Sequence, residues 1–446
     1  MNGAPAQLFD ETLELLRTLI RIDTTNPPGN ELPAAELLAD YFRRAGLEPV
    51  LLESAPGRGN LVVRVRGDGT LPPLLLTGHL DVVPAEADAW THPPFSGDVA
   101  DGCVWGRGAV DMKQMVALSA AVVAAMAREG RKLTRDLVFA AVADEEEGCT
   151  FGSKFLVDEH KDLVAAEYAL GEVGGFTVAM NGRTIVPVQV AQKGIVWLRA
   201  RAEGDPGHGS MPTRANATVR LARAMARLGE SRLPQHNTEV MERFIHAVAD
   251  TQPALKGFIL RRLLSPTFSD FILTRLFPDP DLARPFYALL SNTATPTVLR
   301  AGSKTNVIPS VAEGEIDGRT LPGQSADDLV REVFEVTGTA IDLEPMRVLP
   351  PLETDVDTPL FVAIRAAVNR HLPDATVVPS LTPGFTDAVN FARLGTKYYG
   401  FVPTVFPESM KFSRLFHGHD ERVPIDGLRV GLDVLYDLVT TFCCAV

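Results

Sequence analysis

Histidine and carboxylate side chains stand where three predicted strands of this 446-residue chain end. His79 and Asp81 close the first of these apolar runs, the acidic run 144–147 follows the second, and Glu172 follows the third. In open α/β sheets, ligands bind at the carboxyl ends of the strands. Imidazole and carboxylate groups gathered there, with no cysteine among them, favour a divalent metal such as Zn²⁺ that promotes hydrolysis.

A pair of divalent ions, about 3.5–4 Å apart, needs a bridging carboxylate and further ligands on either side. Asp111 precedes an apolar helix, and His417 lies in a loop rich in glycine and histidine. His79 and Asp81 are two residues apart, so on extended backbone their side chains share a face. We expect Asp81 to accept the second N–H of His79 and fix its tautomer. The acidic run predicts one ligand and one free carboxylate that transfers a proton.

The elements that must position these side chains alternate between helix and strand up to about residue 175. Such alternation predicts a mostly parallel sheet with helices on both faces. Between about 186 and 345 the pattern changes to that of an α+β domain, and from 357 the first pattern returns. The main predicted strands are 61–65, 74–77, 137–142, 188–202 (broken only at Lys193-Gly194), 312–317 and 397–401, and the main predicted helices are 11–20, 31–45, 115–128, 215–228, 325–336, 359–370 and 425–439.

The predicted fold class is therefore α/β, with a mixed, mostly parallel sheet and an inserted α+β domain. Residues 1–185 and 346–446 are expected to form a catalytic metal-binding domain, and 186–345 the inserted domain. Within the latter, apolar clusters punctuated by prolines predict a helical insertion near 235–290. This insertion either packs inside its own domain or covers the substrate site.

Composition limits the partners and the compartment. The chain has 43 basic and 56 acidic residues, a formal net charge of −13, which argues against a nucleic acid or an anionic membrane as partner. No apolar stretch reaches the length of about 18 residues that a membrane span needs. Four cysteines without metal or disulfide spacing favour a reducing cytoplasm.

The motifs, in this order, resemble those of the M20 metallopeptidases, a family of aminoacylases, deacylases and carboxypeptidases. The resemblance spans nearly the whole chain and implies a zinc-peptidase-like domain with an inserted lid. The motifs that carry it are Thr77-Gly78-His79-Leu80-Asp81, Trp90-Thr91-His92-Pro93-Pro94-Phe95, Gly106-Arg107-Gly108, Asp111-Met112-Lys113, Asp144-Glu145-Glu146, Asn306-Val307-Ile308-Pro309 and His417-Gly418-His419-Asp420-Glu421.

This resemblance implies two metal ions, zinc first and cobalt or manganese as substitutes. It implies Asp111 as the bridging ligand, Glu145 as general base and acid, and a cis peptide bond between Asp111 and Met112. The metal ligands it implies are, for one ion, His79, Asp111 and Glu172, and for the other, Asp111, Glu146 and His417.

The resemblance also implies substrate contacts. His208 is expected to polarise the scissile carbonyl or to stabilise its oxyanion. Asn306, Arg319, Gly384 and Thr386 match substrate-binding positions, and the planar fork of Arg319 suits a carboxylate. The chain departs from the family pattern near the substrate end rather than at the metals, so the departures concern specificity more than chemistry. They are Gln114, Pro383-Gly384-Phe385-Thr386-Asp387 and Val389.

The expected function is hydrolysis of an amide bond next to a free carboxylate, in an N-acyl amino acid or a small peptide. The apolar insertion favours a hydrophobic acyl group or side chain. Alternatives are a deacetylase or desuccinylase of amino-acid biosynthesis, a catalytically silent homologue, and a serine hydrolase or dinucleotide-binding α/β enzyme. No Gly-x-Ser-x-Gly motif occurs, however, and Gly57-Arg58-Gly59-Asn60 lacks the third glycine of a dinucleotide-binding motif. Lids of this family often dimerise and deliver the histidine in trans, so a homodimer and a self-sufficient monomer both stay open.

Overall fold

A computed structural model describes residues 3–276, 280–338 and 340–444. The chain forms two compact units. The first comprises Met1–Val190, Thr354–Ser380 and Thr386–Val446, and the second comprises Ala191–Glu353 and Leu381–Phe385. The functions that the sequence predicts for these parts, catalysis for one and a lid for the other, stay predictions.

The strands are numbered in chain order. Up to Gln192 they are β1 (Val50–Glu53), β2 (Gly59–Val65), β3 (Leu74–His79), β4 (Asp98–Ala100), β5 (Cys103–Trp105), β6 (Leu137–Val142), β7 (Tyr168–Gly171), β8 (Val178–Met180) and β9 (Arg183–Gln192). The others are β10 (Gly194–Glu203), β11 (Gly207–His208), β12 (Thr293–Ala301), β13 (Val307–Ile308), β14 (Val311–Thr320), β15 (Asp342–Leu349), β16 (Leu352–Glu353), β17 (Thr376–Thr382), β18 (Lys397–Gly400) and β19 (Arg422–Pro424).

The main sheet of the first unit explains why distant candidates meet. Its strand order is β1-β2-β6-β3-β7-β18-β9, and β3 is parallel to both β6 and β7. His79, the last residue of β3, lies opposite Val142, the last residue of β6. The segments that follow β3, β6 and β7 therefore leave the sheet at the same edge, as the carboxyl ends of parallel strands must. The predicted α/β class is confirmed.

The helices follow the amphipathic patterns of the sequence. They are α1 (Ala6–Arg21), α2 (Leu32–Arg44), α3 (Lys113–Arg128), α4 (Ser153–Glu159), α5 (Lys161–Val164), α6 (Ala217–Glu230), α7 (Glu239–Asp250), α8 (Ala254–Arg261), α9 (Pro266–Phe271), α10 (Pro280–Leu290), α11 (Ala326–Thr337), α12 (Pro359–His371), α13 (Ala388–Phe391) and α14 (Ile425–Cys443). Helix α3 is apolar on all sides because it is buried along nearly its whole length against α1, α14 and β3.

In the second unit, four antiparallel strands form a sheet in the order β12-β14-β10-β15. Apolar residues of α6 and α11 pack on it, and each helix begins at a side-chain cap, Asn216 for α6 and Ser325 for α11. The strand pattern predicted over 188–202, with its break at Lys193-Gly194, corresponds to two strands, β9 and β10. They separate at Lys193, whose buried ammonium group donates to the carbonyl oxygens of Ala288 and Ser291.

Residues 235–290 are helical over most of the part that the structure describes, from α7 to α10. A three-residue 3₁₀ turn, Arg262–Leu264, and a π-helical segment, Ile272–Leu276, lie between these helices. Among the described residues, no helix has both the length and the apolar character needed to cross a membrane.

Candidate metal centre

Asp111 stands between two histidines that come from opposite ends of the chain. Its Oδ1 lies 3.2 Å from Nε2 of His79, and its Oδ2 lies 3.3 Å from Nε2 of His417. Burial alone would raise the pKa of Asp111, but the two imidazoles hold it well below the usual range of an aspartate. A carboxylate that offers one oxygen to each of two histidines has the geometry of a bridging ligand.

Glu172 and Glu146 complete the two sides of this arrangement. Glu172 Oε2 lies 3.6 Å from His79 Nε2, and Glu146 Oε2 lies 3.1 Å from His417 Nε2. The second carboxylate oxygen of each, Oε1, is buried and has no hydrogen-bond partner within the described part of the chain. Buried polar atoms are almost always paired, so these two oxygens indicate a site for a bound cation. The donor set of imidazole and carboxylate groups fits a pair of divalent ions.

Burial shifts the acid-base properties of these groups. It raises the pKa of Glu172 to about 7 and also raises that of Glu146. Burial opposes protonation of His79, but the carboxylates of Asp111 and Glu172 outweigh it and its pKa lies well above the usual range. Hydrogen bonds to Asp111 and Glu146 raise the pKa of His417 to about 10. Without a metal, protons on the histidines therefore balance the negative charge.

Glu145 lies in the same cluster. One oxygen of its carboxylate is within 4.8 Å of ligand atoms of both His79 and Glu172. Burial, followed by the charge of Glu172, raises the pKa of Glu145 well above that of an ordinary glutamate. A carboxylate with a raised pKa next to a metal pair suits proton transfer near neutral pH.

Asp81 contacts His79 through its main chain rather than through the side-chain carboxylate that the sequence predicted. The acceptor nearest to Nδ1 of His79 is the main-chain carbonyl oxygen of Asp81, at 2.9 Å, whereas the closest carboxylate oxygen is 3.6 Å away. The carboxylate is occupied elsewhere: it accepts the backbone N–H groups of Glu145 and Glu146, both at 3.1 Å. One residue thus fixes the histidine with its backbone and the acidic segment with its side chain.

A buried polar network lies beneath the acidic segment and was not predicted. The amide nitrogen of Asn26 donates to Asp81 at 2.9 Å and to Asp144 at 3.1 Å. Arg58 pairs with Glu31 through two hydrogen bonds of 2.8 Å and donates to Asp144 at 2.9 Å. A buried guanidinium with several carboxylate acceptors is satisfied and rigid.

Glu421 positions the loop that carries Asp111. One of its oxygens accepts the backbone N–H groups of Val110 and Asp111, at 2.7 and 3.1 Å, and the other accepts Arg107 at 2.7 Å. The strand pair β5–β19 brings Glu421 to this loop. The peptide bond between Asp111 and Met112 is cis, as expected. Gln114, which replaces the family's glycine, donates to the carbonyl oxygen of Val110 at 2.6 Å.

Several residues at the site have left-handed backbone conformations that side chains seldom adopt. Asp144, Val173 and His417 have φ values of 65°, 61° and 57°. For a β-branched residue such as Val173 this is a true outlier. Strain of this kind is kept where surrounding contacts fix the chain, and it clusters at functional sites.

The remaining first-unit candidate is Thr386. It is buried, and its hydroxyl accepts the N–H of Ala388 at 3.2 Å. The neighbouring Asp387 is also buried and accepts the hydroxyl of Ser153 at 2.5 Å. Thr386 therefore shapes the start of α13, and its contact with a substrate stays a prediction.

Four predicted residues belong to the second unit. His208, on β11, is exposed and pairs with Val307 of β13. The next residue, Gly209, donates its backbone N–H to the carbonyl oxygen of Asn306 at 2.8 Å, so His208 and Asn306 are neighbours. Arg319, on β14, pairs with Asp317 through bonds of 2.7 and 3.1 Å. Gly384 lies in the segment Leu381–Phe385. Their roles toward a substrate stay predictions.

Comparison with known proteins agrees with this geometry. Residues 75–441 match the peptidase family M20/M25/M40. The chain belongs to this family. It is accordingly a metal-dependent hydrolase of amide bonds with a dinuclear centre, and the predicted resemblance is confirmed.

Two curated relatives and one solved structure illustrate the range of this M20 group. A probable carboxypeptidase S-like 2 of Dictyostelium discoideum is 30% identical over 394 residues, which cover 85% of this chain and 74% of that protein. The N-fatty-acyl-amino acid synthase/hydrolase PM20D1.1 of Danio rerio is 28% identical over 383 residues, covering 82% and 72%. An M20 family metallo-carboxypeptidase of Sulfolobus solfataricus has the same fold, with a TM-score of 0.71, 16% identity and coverage of 96% and 98%.

Proposed function

We propose that this enzyme hydrolyses N-acyl amino acids whose acyl group is long and apolar, releasing a fatty acid and the amino acid. The observation that carries the hydrolytic part of the proposal is the position of Asp111 between His79 and His417. The relative PM20D1.1 bears the name of an N-fatty-acyl-amino acid synthase/hydrolase, which supports this substrate class. The apolar insertion near 235–290 supports it as well.

His79, Asp111 and Glu172 would hold one divalent ion, and Asp111, Glu146 and His417 the other, with zinc the favoured metal. When bound, such a pair polarises the scissile carbonyl group and lowers the pKa of water. The structural support for this assignment is one buried carboxylate oxygen each on Glu146 and Glu172 that has no hydrogen-bond partner among the described residues.

The protein's own groups would carry the proton transfers. Glu145 takes a proton from the attacking water as the water oxygen bonds to the acyl carbon, and delivers it to the amide nitrogen as the carbon–nitrogen bond breaks. Burial raises the pKa of Glu145 well above the usual range of a glutamate, which favours its role as a proton acceptor and donor. Asp81, Asn26 and Arg58 hold the segment of Glu145 through the hydrogen bonds described above.

His208, Asn306, Arg319, Gly384 and Thr386 are proposed to meet the substrate. His208 would stabilise the oxyanion, and Arg319 would pair with the substrate carboxylate. The structure pairs Arg319 with Asp317, so binding would exchange that partner for the substrate. The homodimer and a cytoplasmic location are further hypotheses from the sequence alone.

The test is a substrate panel with zinc-loaded protein. It compares N-hexadecanoyl, N-acetyl and N-succinyl amino acids with dipeptides, for the wild type and for Glu145→Gln. We expect the hexadecanoyl substrates to give the highest kcat/KM, and Glu145→Gln to lose about a hundredfold to ten-thousandfold in kcat with its metal content unchanged. Preference for acetyl or succinyl groups on charged amino acids would contradict the proposed substrate class.

A further inference from the structure

Four phenylalanine rings lead away from the candidate metal ligand His417 within the first unit. We call them the phenylalanine ladder: Phe416, Phe412, Phe176 and Phe406. The ring of Phe416 lies 5.5 Å from that of His417, and Phe412 stacks on Phe416 with centroids 5.4 Å apart. Phe176 stacks on Phe412 at 4.0 Å, with the two planes inclined by 14°. The ladder thus begins beside a proposed metal ligand and continues towards the buried ring of Phe406.

Two segments that carry or follow candidate ligands hold the ladder in place. Phe176 lies four residues after Glu172, and its neighbour Thr177 accepts the backbone N–H of Phe406 at 2.8 Å. Phe406 lies edge-on to Phe412 at 5.9 Å and to Phe176 at 6.5 Å. The rings are therefore fixed by the same backbone segments that position Glu172 and His417. A change in the packing of the rings would also shift these two candidate ligands.

Burial in the ladder increases with distance from His417. Phe406 is 8% exposed, Phe412 and Phe176 are partly buried, and Phe416 is 38% exposed. The most accessible ring of the ladder is therefore Phe416, beside His417, and accessibility decreases towards Phe406. Aromatic rings offer a large apolar contact area at small entropic cost because they have only two rotatable side-chain bonds.

We infer that the phenylalanine ladder is the subsite for the acyl chain of the substrate. The inference rests on the proposed function and adds the residues that determine acyl-chain length. With the carbonyl group of the substrate at the proposed metal centre, the first methylene groups of the acyl chain lie beside Phe416. The methylene groups further along the chain contact Phe412 and then Phe176. None of the four rings carries a positive charge that could pair with the carboxylate of the amino acid part. The ladder therefore suits the acyl end of the substrate.

The test measures kcat/KM for N-acyl amino acids of increasing chain length, from acetyl to hexadecanoyl. In the wild type, kcat/KM should rise by about fourfold per methylene group along the ladder, which corresponds to ~0.8 kcal/mol of burial for each, and then level off. For Phe412→Ala, the loss on the hexadecanoyl substrate should exceed the loss on the acetyl substrate by at least about tenfold. Phe412→Leu should restore part of the preference.

The matched control is Phe155→Ala. The ring of Phe155 is also partly buried in the first unit but packs on His160, 5.0 Å away. This variant should keep the wild-type dependence on chain length. If Phe412→Ala lowers kcat/KM for both substrates by the same factor, the ladder only packs the loop that carries His417, and the inference is overturned.

Failure of the proposed function has a different signature. If the wild type hydrolyses dipeptides but no N-acyl amino acid, the proposed substrate class is wrong. Calorimetric binding of N-hexadecanoyl phenylalanine to the zinc-loaded wild type and to Phe412→Ala then decides the inference separately. Tenfold weaker binding by Phe412→Ala supports an acyl subsite, and equal binding or none overturns it.

Discussion

The side-chain amide of Asn26 donates to Asp81 at 2.9 Å and to Asp144 at 3.1 Å, and so joins two acidic residues that flank the proposed general base. Asp81 in turn accepts the backbone N–H groups of Glu145 and Glu146. The position of Glu145 therefore depends on a residue more than a hundred positions earlier in the chain. Polar groups behind metal ligands commonly fix both their orientation and their reactivity.

Replacement of Asn26 by alanine should reduce catalysis without preventing folding. The change leaves Asp81 and Asp144 without their shared donor, so the segment of Glu145 and Glu146 becomes less ordered. We expect kcat/KM to fall by about tenfold to hundredfold and metal affinity to weaken by a comparable factor. Steady-state kinetics and a zinc titration measure both. Asn30→Ala, a change at an exposed residue nearby, is the control, and equal effects of the two variants would contradict the role of Asn26.

Replacement of Glu421 by glutamine should destabilise the protein. The amide oxygen can still accept one or both N–H groups of the loop at Asp111, but Arg107 loses its charged partner in a buried environment. Breaking one side of a buried ion pair costs about 3 kcal/mol or more. Chemical denaturation of the metal-free protein gives the free energy of unfolding. Glu86→Gln, at a side chain that is 85% exposed, should change it little; a similar loss in both variants would disprove the argument.

Replacement of Gly400 by alanine should weaken the metal site through the backbone of Glu172. A Cβ atom at Gly400 would lie 2.0 Å from the carbonyl oxygen of Val173 and 2.3 Å from that of Glu172. The segment must shift to avoid this overlap, and Glu172 shifts with it. We expect about tenfold weaker metal affinity or more, since ligand geometry is disturbed. Gly229→Ala, where a Cβ meets nothing within 4 Å, should bind metal normally.

Metal affinity should rise with pH between pH 6 and 8. In the metal-free protein, Asp111 and Glu146 raise the pKa of His417 to about 10, so its imidazole is protonated throughout this range. A metal ligand must be neutral imidazole, so binding releases at least this proton. The apparent dissociation constant for zinc should therefore fall by about tenfold or more per pH unit. Calorimetric titrations at pH 6, 7 and 8 measure the slope, and a flat profile would contradict it.

The same titrations offer a matched comparison of neighbouring histidines. His419→Gln should keep the slope of the wild type, because His419 faces Glu86 at 3.4 Å rather than the proposed ligands. His417→Gln should bind less metal with a smaller slope. Equal slopes in the two variants would remove His417 from the ligand set.

The sequence predicted the parts of this molecule that depend on local pattern. Apolar runs of strand length ended at His79 and Glu172, and parallel pairing of their strands makes these ends meet. The motif around Asp111 predicted its cis peptide bond through resemblance to relatives. Alternation of helix and strand indicated the sheet of the first unit.

The supporting network could not be predicted in the same way. Asn26 and Arg58 lie in segments without periodicity, and Glu31 is the first residue of a predicted helix, so their polar side chains are equally compatible with exposure to solvent. Only tertiary contact with Asp144 gives them a role. The contact between His79 and the main-chain carbonyl oxygen of Asp81 was not predicted for a related reason. Sequence spacing shows which side chains share a face, but not which backbone atoms lie nearest to them. The unusual run Asn26-Pro27-Pro28-Gly29 was the one local signal of a fixed turn.

The central claim is that Asp111 bridges two metal ions, and anomalous diffraction from crystals of the zinc-loaded enzyme tests it most directly. We expect two zinc peaks about 3.5–4 Å apart, one beside His79 and Glu172 and the other beside Glu146 and His417, with one oxygen of Asp111 on each. A single peak, or two peaks with Asp111 bound to neither or to only one, would contradict the account.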